Sequence, residues 1–491
     1  MNISSAVPMV SGIPMKNILL FVTDDHGAWA AGCYGNRELQ TPNLDRLAAD
    51  GVRFANAFTP CPVCSPARAC LMTGRTPSQV GLHDWLEEGD PRIARRDWLA
   101  EEQTLPELLC DCGYHTGLSG KWHLGRSHQT PRGFQWCFGL PGSQGTHNAE
   151  YTYHLNGERL RLRGNKSRHI TDYALEFLRG APHDRPFFLN VGYIATHSPY
   201  ESSAHDPELV ALYRAALFSD LPAYHPHPWR EDEGRFPESP QPEDIISRRR
   251  GYYAAVTEID RNLGRILEFL ARTGRLENTL VVYTSDHGCC LGHHGIWGKG
   301  NSTAPLNMYE TSLRIPLLMR GPGLMKGQVV AHAVDHYDTF LTLCQWAKVR
   351  LPARIRAARR YPGRSYAALA AGASLASWDD TRYGEYGDLR MIRTPKAKFV
   401  KRYPAGPYDL FDLRQDPGET LNRAGWSSYA AVQRALEKRL EKWYARHEVS
   451  EKSGLQVKQL PRHNRSAEAW RNGWRECRGL QVYPLPGGTP R

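Results

Sequence analysis

A chain of 491 residues is long enough for one large domain plus a smaller one, and its 41% hydrophobic and 23% charged residues are ordinary globular values that exclude a disordered or fibrous protein. The formal net charge of +11, from 62 Lys and Arg against 51 Asp and Glu, admits an anionic partner. The positive charge is scattered, however, and its local runs at Arg248-Arg249-Arg250 and from Arg354 to Arg360 come without a helix-turn-helix or RNA-binding signature, so no nucleic acid is expected.

In chain order, the first apolar run, residues 17–23, reads as a buried strand and passes straight into Asp24-Asp25-His26. It is too short for a membrane span or a signal core and runs straight into Asp24-Asp25, so neither a membrane nor a secretion signal is read. The expectation is a cytoplasmic protein, or a periplasmic or secreted one if a leader is missing. Helices are expected at 43–50 and 65–73. A weaker strand, 114–118, leads into Gly120-Lys121-Trp122-His123. After a helix at 169–179, the strand 186–193 is followed by Ala195, Thr196, His197, Ser198 and Pro199. A long helix at 248–273 places Tyr252, Val256, Ile259, Leu263, Ile266 and Leu270 at helical spacing. The strand 279–285 then runs into Asp286-His287-Gly288.

The tail differs. From about Trp378 the chain offers short β pieces at 390–393, 398–402 and 408–413, then a helix at 429–446. Alternating strands and helices predict an α/β fold with a mainly parallel central sheet flanked by helices over residues 1–377. Residues 378–491 are expected to form a small C-terminal α+β domain with an antiparallel sheet. Ligands of parallel sheets sit beyond the carboxyl ends of the strands. Four such ends here carry acids, histidines and a lysine, which points to one shared active site.

Asp24, Asp25 and Asp286 brought together would repel one another unless a cation neutralised them, and carboxylate oxygens suit Ca²⁺ or Mg²⁺. His287 adds a nitrogen or supports the loop. Taken singly, Asp24-Asp25 is also compatible with a cap and Asp286-His287-Gly288 with a turn. Cys64-Ser65-Pro66-Ala67-Arg68 reads as the start of a helix, where free N–H groups and the dipole favour anions, with Arg68 one turn on. The alternative for Cys64 is an inert buried thiol. Eleven cysteines give no disulfide framework, and Cys61-x-x-Cys64 has no second pair to complete a zinc site.

Cys64-Ser65-Pro66-Ala67-Arg68 resembles the C-x-P-x-R signature of the sulfatase family, continued by Leu71-Met72-Thr73-Gly74-Arg75. Asp24-Asp25, Gly120-Lys121-Trp122-His123-Leu124-Gly125, His197 with Pro199, Asp286-His287-Gly288, Gly295-Ile296-Trp297-Gly298-Lys299 and the segment 409–419 follow in that family's order. The resemblance implies an alkaline-phosphatase-like fold and hydrolysis of sulfate monoesters. It implies that Cys64 is converted to formylglycine by a formylglycine-generating enzyme and that its hydrate attacks sulfur. The metal ligands would be Asp24, Asp25, residue 64, Asp286 and His287, with Ca²⁺ ahead of Mg²⁺. Arg68, Lys121 and Lys299 would stabilise charge, His197 would protonate the leaving alcohol and His123 would take up a proton.

For the substrate, the expectation is a sulfated carbohydrate or glycosaminoglycan fragment, with arylsulfatase activity compatible. His83, Asp84 and Trp85 are candidate pocket residues, as are His154 and His294. Rival readings are a phosphonate or phosphate ester hydrolase with the same converted cysteine, and a non-catalytic binder of sulfated polymers.

Overall fold

The computed structural model describes residues 16–141, 149–230, 240–349, 351 and 360–464. The basic run 354–359 and the Arg-, Gly- and Pro-rich end beyond residue 464 lie outside the described residues. The main strands are β1 (Asn17–Thr23), β2 (Val52–Phe58), β3 (His115–Gly120), β4 (Trp136–Gly139), β5 (Glu150–Leu155), β6 (Glu158–Arg163), β7 (Phe187–Gly192) and β8 (Thr279–Ser285). They are followed by β9 (Cys290–Leu291), β10 (Trp297–Gly298), β11 (Arg314–Ile315), β12 (Leu317–Arg320) and β13 (Gln328–Asp335). The main helices are α1 (Pro42–Ala49), α2 (Cys64–Thr73), α3 (Lys166–Gly180), α4 (Pro242–Arg272), α5 (His336–Trp346) and α6 (Ala430–His447).

One eleven-stranded sheet, ordered β11-β2-β12-β8-β1-β7-β3-β4-β5-β6 with β13 also on β2, carries the large domain. Its middle, β8-β1-β7-β3-β4, is parallel. β1, β7 and β8 are buried along their whole length. Strands covered on both faces must be apolar throughout, which is why these runs stand out in the sequence. Ile18, Leu20 and Val22 face a core shared with Leu71 and Met72 of α2. Leu19 and Phe21 face the other core, with Ala174 and Leu178 of α3 and Ile259 and Leu263 of α4.

Toward both margins the sheet turns antiparallel: β12 lies against β8 and β2, and β4, β5 and β6 alternate in direction. The hairpin β5–β6 turns on Asn156 and Gly157, both at positive φ (52° and 92°), the geometry a tight two-residue hairpin turn requires.

The smaller, antiparallel sheet has four strands, β14 (Arg382–Tyr386), β15 (Leu389–Arg393), β16 (Ala397–Arg402) and β17 (Asp409–Asp412), in that order. Leu436, Leu440 and Tyr444 of α6 pack on its Ile392, Phe399 and Leu410. After α6 the chain folds back on the segment that follows α2. Glu87 N donates to the His463 carbonyl (2.9 Å) and His83 N to His463 Nε2 (3.2 Å). Among the described residues no helix is long and apolar enough to cross a membrane.

Candidate active site

β8, β1, β7 and β3 are neighbours in register, so their carboxyl ends open side by side: Thr23 pairs Ser285, Val22 pairs Gly192, and Gly120 pairs Gly192. The loops leaving them are tied together by the backbone. Asp286 N donates to the Thr23 carbonyl (3.0 Å), Thr196 N to that of Asp24 (2.7 Å) and Lys121 N to that of Gly192 (2.8 Å). Asp25 and His123 sit at φ 56° and 60°. Non-glycine residues adopt this conformation at a cost, and the tied loops hold it.

α2 brings the thiol. It begins at Cys64, one residue earlier than expected, with Val63 as N-cap and Gly74 closing it at φ 66°. Cys64 Sγ thus lies at a helix N-terminus and reaches Asp24 Oδ1 at 3.3 Å, His287 Nε2 at 3.4 Å and Lys299 Nζ at 3.3 Å. Lys299 also donates to Asp25 Oδ1 (2.6 Å), and Lys121 to Asp24 Oδ2. Arg68 Nε holds Asp286 Oδ2 (2.9 Å), while Nη1 holds the Lys121 carbonyl (3.1 Å). All of these side chains are buried.

One ligand atom each from Asp24, Asp25, Cys64 and His287 lie within 4.8 Å of one another, a spacing that fits a metal ion. Asp286 stands beside them, its Oδ1 3.6 Å from His287 Nε2. Carboxylates plus one imidazole suit a divalent cation, and this donor set therefore fits the group that the sequence implied. Two polar atoms are left over. Arg68 Nη2, a donor, and His123 Nδ1 are buried with no hydrogen-bond partner among the described residues. Buried polar atoms of this kind are normally satisfied, so these mark where a polar ligand belongs.

The charges set the protonation states. Burial and Asp24 push the Cys64 thiol up, but Lys121, Lys299 and His287 outweigh them and bring it to about 6. Burial, aided by Asp24, lifts Asp286 to about 7 against the pull of His287 and Arg68. Burial and Lys121 depress His123 to about 3, so its ring is neutral at pH 7. His123 Nε2 meets the Leu86 carbonyl at 2.7 Å. That bond makes Nε2 the protonated nitrogen and leaves Nδ1 free to accept a proton. His197, half-buried, is likewise lowered by burial and Lys299 against the opposing pull of Asp25 and Asp24.

Cys64, Arg68, Lys121, His123, His197, Lys299, Asp24, Asp25, Asp286 and His287 are thus gathered at one place. The expected pocket residues are not all free to join them. His83 is buried with Nε2 2.8 Å from the Lys452 carbonyl, and Asp84 spends its carboxylate on Tyr386 (2.6 Å), Trp85 N (2.8 Å) and Asn464 (3.2 Å). These partners tie both residues to the small sheet and the C-terminal segment, while His83 Nδ1 has no hydrogen-bond partner among the described residues. Trp85 is half-buried against the apolar cluster that contains Cys61 and Val63. His294 stacks on Tyr309 at 3.8 Å, and His154 lies on β5 near His128.

Several residues of the site carry no motif. Tyr200 donates to Asp25 Oδ2 (3.0 Å), Thr196 Oγ1 to the Asp25 carbonyl (2.7 Å), and His336 Nε2 lies 3.0 Å from the Asp286 carbonyl. Only Thr196, next to the strand-end His197, lay within a segment that drew notice; Tyr200 and His336 give no signal in the sequence.

A metal-ready acid cluster, an activated residue at a helix N-terminus and unsatisfied buried polar atoms beyond the strand ends of an α/β sheet define a hydrolase of anionic esters. The chain belongs to the sulfatase family, whose model matches residues 16–349, and it is a sulfuric ester hydrolase. A second model, N-sulphoglucosamine sulphohydrolase C-terminal, matches residues 292–446. The chain is 28% identical to an N-acetylglucosamine-6-O-sulfatase of Bacteroides thetaiotaomicron, over 93% of this chain and 91% of that protein. It is 30% identical to the N-acetylgalactosamine-6-sulfatase of Homo sapiens, over 68% of this chain and 63% of that protein. Among solved structures, it resembles one in complex with its substrate D-glucosamine-2-N,6-O-disulfate. The TM-score is 0.76 at 25% identity, covering 88% of this chain and 98% of that one. The parallel centre, flanking helices and small antiparallel sheet are those of the alkaline-phosphatase-like fold.

Proposed function

We propose that the chain removes sulfate from a sulfated carbohydrate, with a formylglycine made from Cys64 as nucleophile and one divalent cation, Ca²⁺ ahead of Mg²⁺. The observation that carries this reading is the pair of unsatisfied buried atoms beside the Cys64 cluster, the donor Arg68 Nη2 and the acceptor His123 Nδ1. The carbohydrate part is supported by the relatives, one an N-acetylglucosamine-6-O-sulfatase and one solved with a disulfated glucosamine.

Asp24, Asp25, residue 64, Asp286 and His287 would hold the cation, which when bound would polarise the nucleophile and offset the carboxylate charge. Conversion by a formylglycine-generating enzyme would replace the thiol with an aldehyde, whose hydrate supplies two hydroxyl groups. Lys121, Lys299 and Arg68 stabilise negative charge on the sulfuryl oxygens in a dry site where such donors count most. His197 would protonate the departing alcohol. Its neutral ring is poised for this only when an anion is bound, because a nearby negative charge favours imidazolium. His123, neutral and with Nδ1 open, accepts the proton of the hydroxyl that does not attack.

The test is mass spectrometry of the Cys64 peptide from protein made with a formylglycine-generating enzyme, where conversion lowers the mass by about 18 Da. Turnover of glucosamine 6-sulfate, an aryl sulfate and a matched phosphonate ester is then compared. Conversion with preference for the sugar sulfate is expected; a persistent thiol, or preference for the phosphonate, overturns the reading.

A further inference from the structure

The β5–β6 hairpin has no part in the chemistry above, yet its register places it at the rim of the site. Gly120, the residue before Lys121, pairs with Gly139 of β4; Gly139 pairs with His154 of β5; and His154 pairs with Arg159 of β6. This rung marks the level of the sheet's carboxyl end. Arg161 (opposite Thr152) and Arg163 (opposite Glu150) lie two and four residues beyond it. At the usual rise they overhang the sheet by about 7 and 13 Å. Neighbouring strands are about 4.8 Å apart, so β6 stands about 14 Å to the side of β3. That is the reach of a short oligosaccharide rather than of a single sugar.

The two faces of the hairpin differ. Tyr153, Leu160 and Leu162 pack toward α3 and α4. Side chains alternate along a strand, so Arg159, Arg161 and Arg163 lie on the opposite face, the face of the sheet that carries α2 and its Cys64. All three arginines are exposed. Among the described residues one acidic group answers them in part: Glu150 lies 3.6 Å from Arg161, with both side chains more than half exposed (56% and 63%), and a pair of that kind is weak. On the other face Lys166, the buried first residue of α3, places its ammonium 3.8 Å over the Tyr151 ring. Burial, aided by the charge of Lys121, brings that ammonium to about 8.

We propose that the β5–β6 hairpin is an anion-binding arm in which Arg159, Arg161 and Arg163 hold further sulfate or carboxylate groups of a polyanionic glycan whose scissile sulfate lies at Lys121 and His123. The arm extends the carbohydrate reading above and rests on it. Guanidinium groups match both anions in geometry, and a row of three along one strand face offers contacts about 7 Å apart. The arm would favour chains over monosaccharides, and through Coulomb attraction it would do so most at low salt.

The experiment compares wild type, R159Q/R161Q/R163Q and R159K/R161K/R163K on glucosamine 6-sulfate and on a heparin hexasaccharide, each at low and high salt. The expected result is a roughly tenfold loss of kcat/KM on the hexasaccharide for the Gln variant, with its salt dependence flattened. The monosaccharide rate stays within about twofold, which also shows that the variant is folded, and the Lys variant keeps most of the hexasaccharide rate. An equal loss on both substrates, or none on the hexasaccharide, overturns the arm alone. Wild-type protein that cleaves an aryl sulfate but neither sugar overturns the carbohydrate reading, and the arm with it.

Discussion

Two buried charge clusters, one where the small sheet meets the large one and one at the strand ends of the large sheet, are built to opposite ends. At the junction Lys398 pairs with Glu419 and lies 3.4 Å from Glu310, while donating to the Met308 carbonyl (2.6 Å). Arg393 closes on Glu310 at 3.2 Å, and Glu310 N donates to Glu419 (2.7 Å). Each charge there answers another charge of the chain. In the catalytic cluster the same residue types meet, three carboxylates against Arg68, Lys121 and Lys299, yet Arg68 Nη2 and His123 Nδ1 remain unsatisfied. A closed network spends its electrostatics on joining the small sheet to the large one. An open one keeps a donor and an acceptor in reserve for a ligand that supplies their partners.

The sharpest break of this comparison is at the nucleophile. Cys64→Ala should abolish sulfate ester turnover, by at least about a thousandfold, because no other group at the helix N-terminus can replace the attacking atom. Its Tm should move by only a few degrees, since one small side chain is trimmed. Calorimetry alongside an aryl sulfate assay checks both. A large Tm loss would mean that the cluster is structural after all. The converse substitution, Lys398→Met, leaves Glu310 and Glu419 buried with one cation fewer. It should cost about 3–5 kcal/mol in denaturant unfolding, with kcat of the folded fraction unchanged. A fall in kcat at full stability would show that the junction also shapes the site.

Glu258 offers a third kind of buried charge, an acid on which burial outweighs the pull of Arg168. It sits on α4 facing Asn165 and Ser167, and burial lifts its carboxyl to about 7. A folded-state value above the unfolded one favours the protonated form. The stabilisation is therefore complete below about pH 4.5 and is lost as pH rises toward 7, in total about 3 kcal/mol. Thermal unfolding between pH 5 and 8 should show Tm falling for wild type. Glu258→Gln should flatten that part of the curve, and an unchanged slope would remove Glu258 as its source.

How much of this was legible depended on what each residue answers to. β1, β7 and β8 were readable because strands covered on both faces leave continuous apolar runs, and the acids after them follow from strand ends. β2, with Arg53 and Asn56 inside it, hid behind its mixed composition. The β5–β6 hairpin lay outside the predicted elements even though Asn156-Gly157 between two alternating runs is a strong turn signal. His83 and Asp84 drew notice because their neighbourhood is polar and aromatic, but the contacts they make were not legible. Their partners, Lys452 and Asn464, lie more than 360 residues away, and only the folded chain brings them together.

Tyr200 tests the open cluster most finely. Its hydroxyl donates to Asp25 Oδ2 at 3.0 Å, while Asp25 Oδ1 is the oxygen that faces Lys299 and His287. Fixing one carboxylate oxygen orients the other, so Tyr200 acts through Asp25. Partners of this kind typically carry a 10–100-fold effect on metal affinity. Tyr200→Phe keeps the ring and its packing against Tyr252, so stability should fall by only about 1 kcal/mol. Titration calorimetry of Ca²⁺ into metal-stripped protein should then show affinity lowered by about tenfold or more. The weakened binding would appear whether or not Cys64 has been converted, which separates it from any loss of activity. Undiminished affinity would mean that the tied backbone at Asp25, not the tyrosine, holds the carboxylate in place.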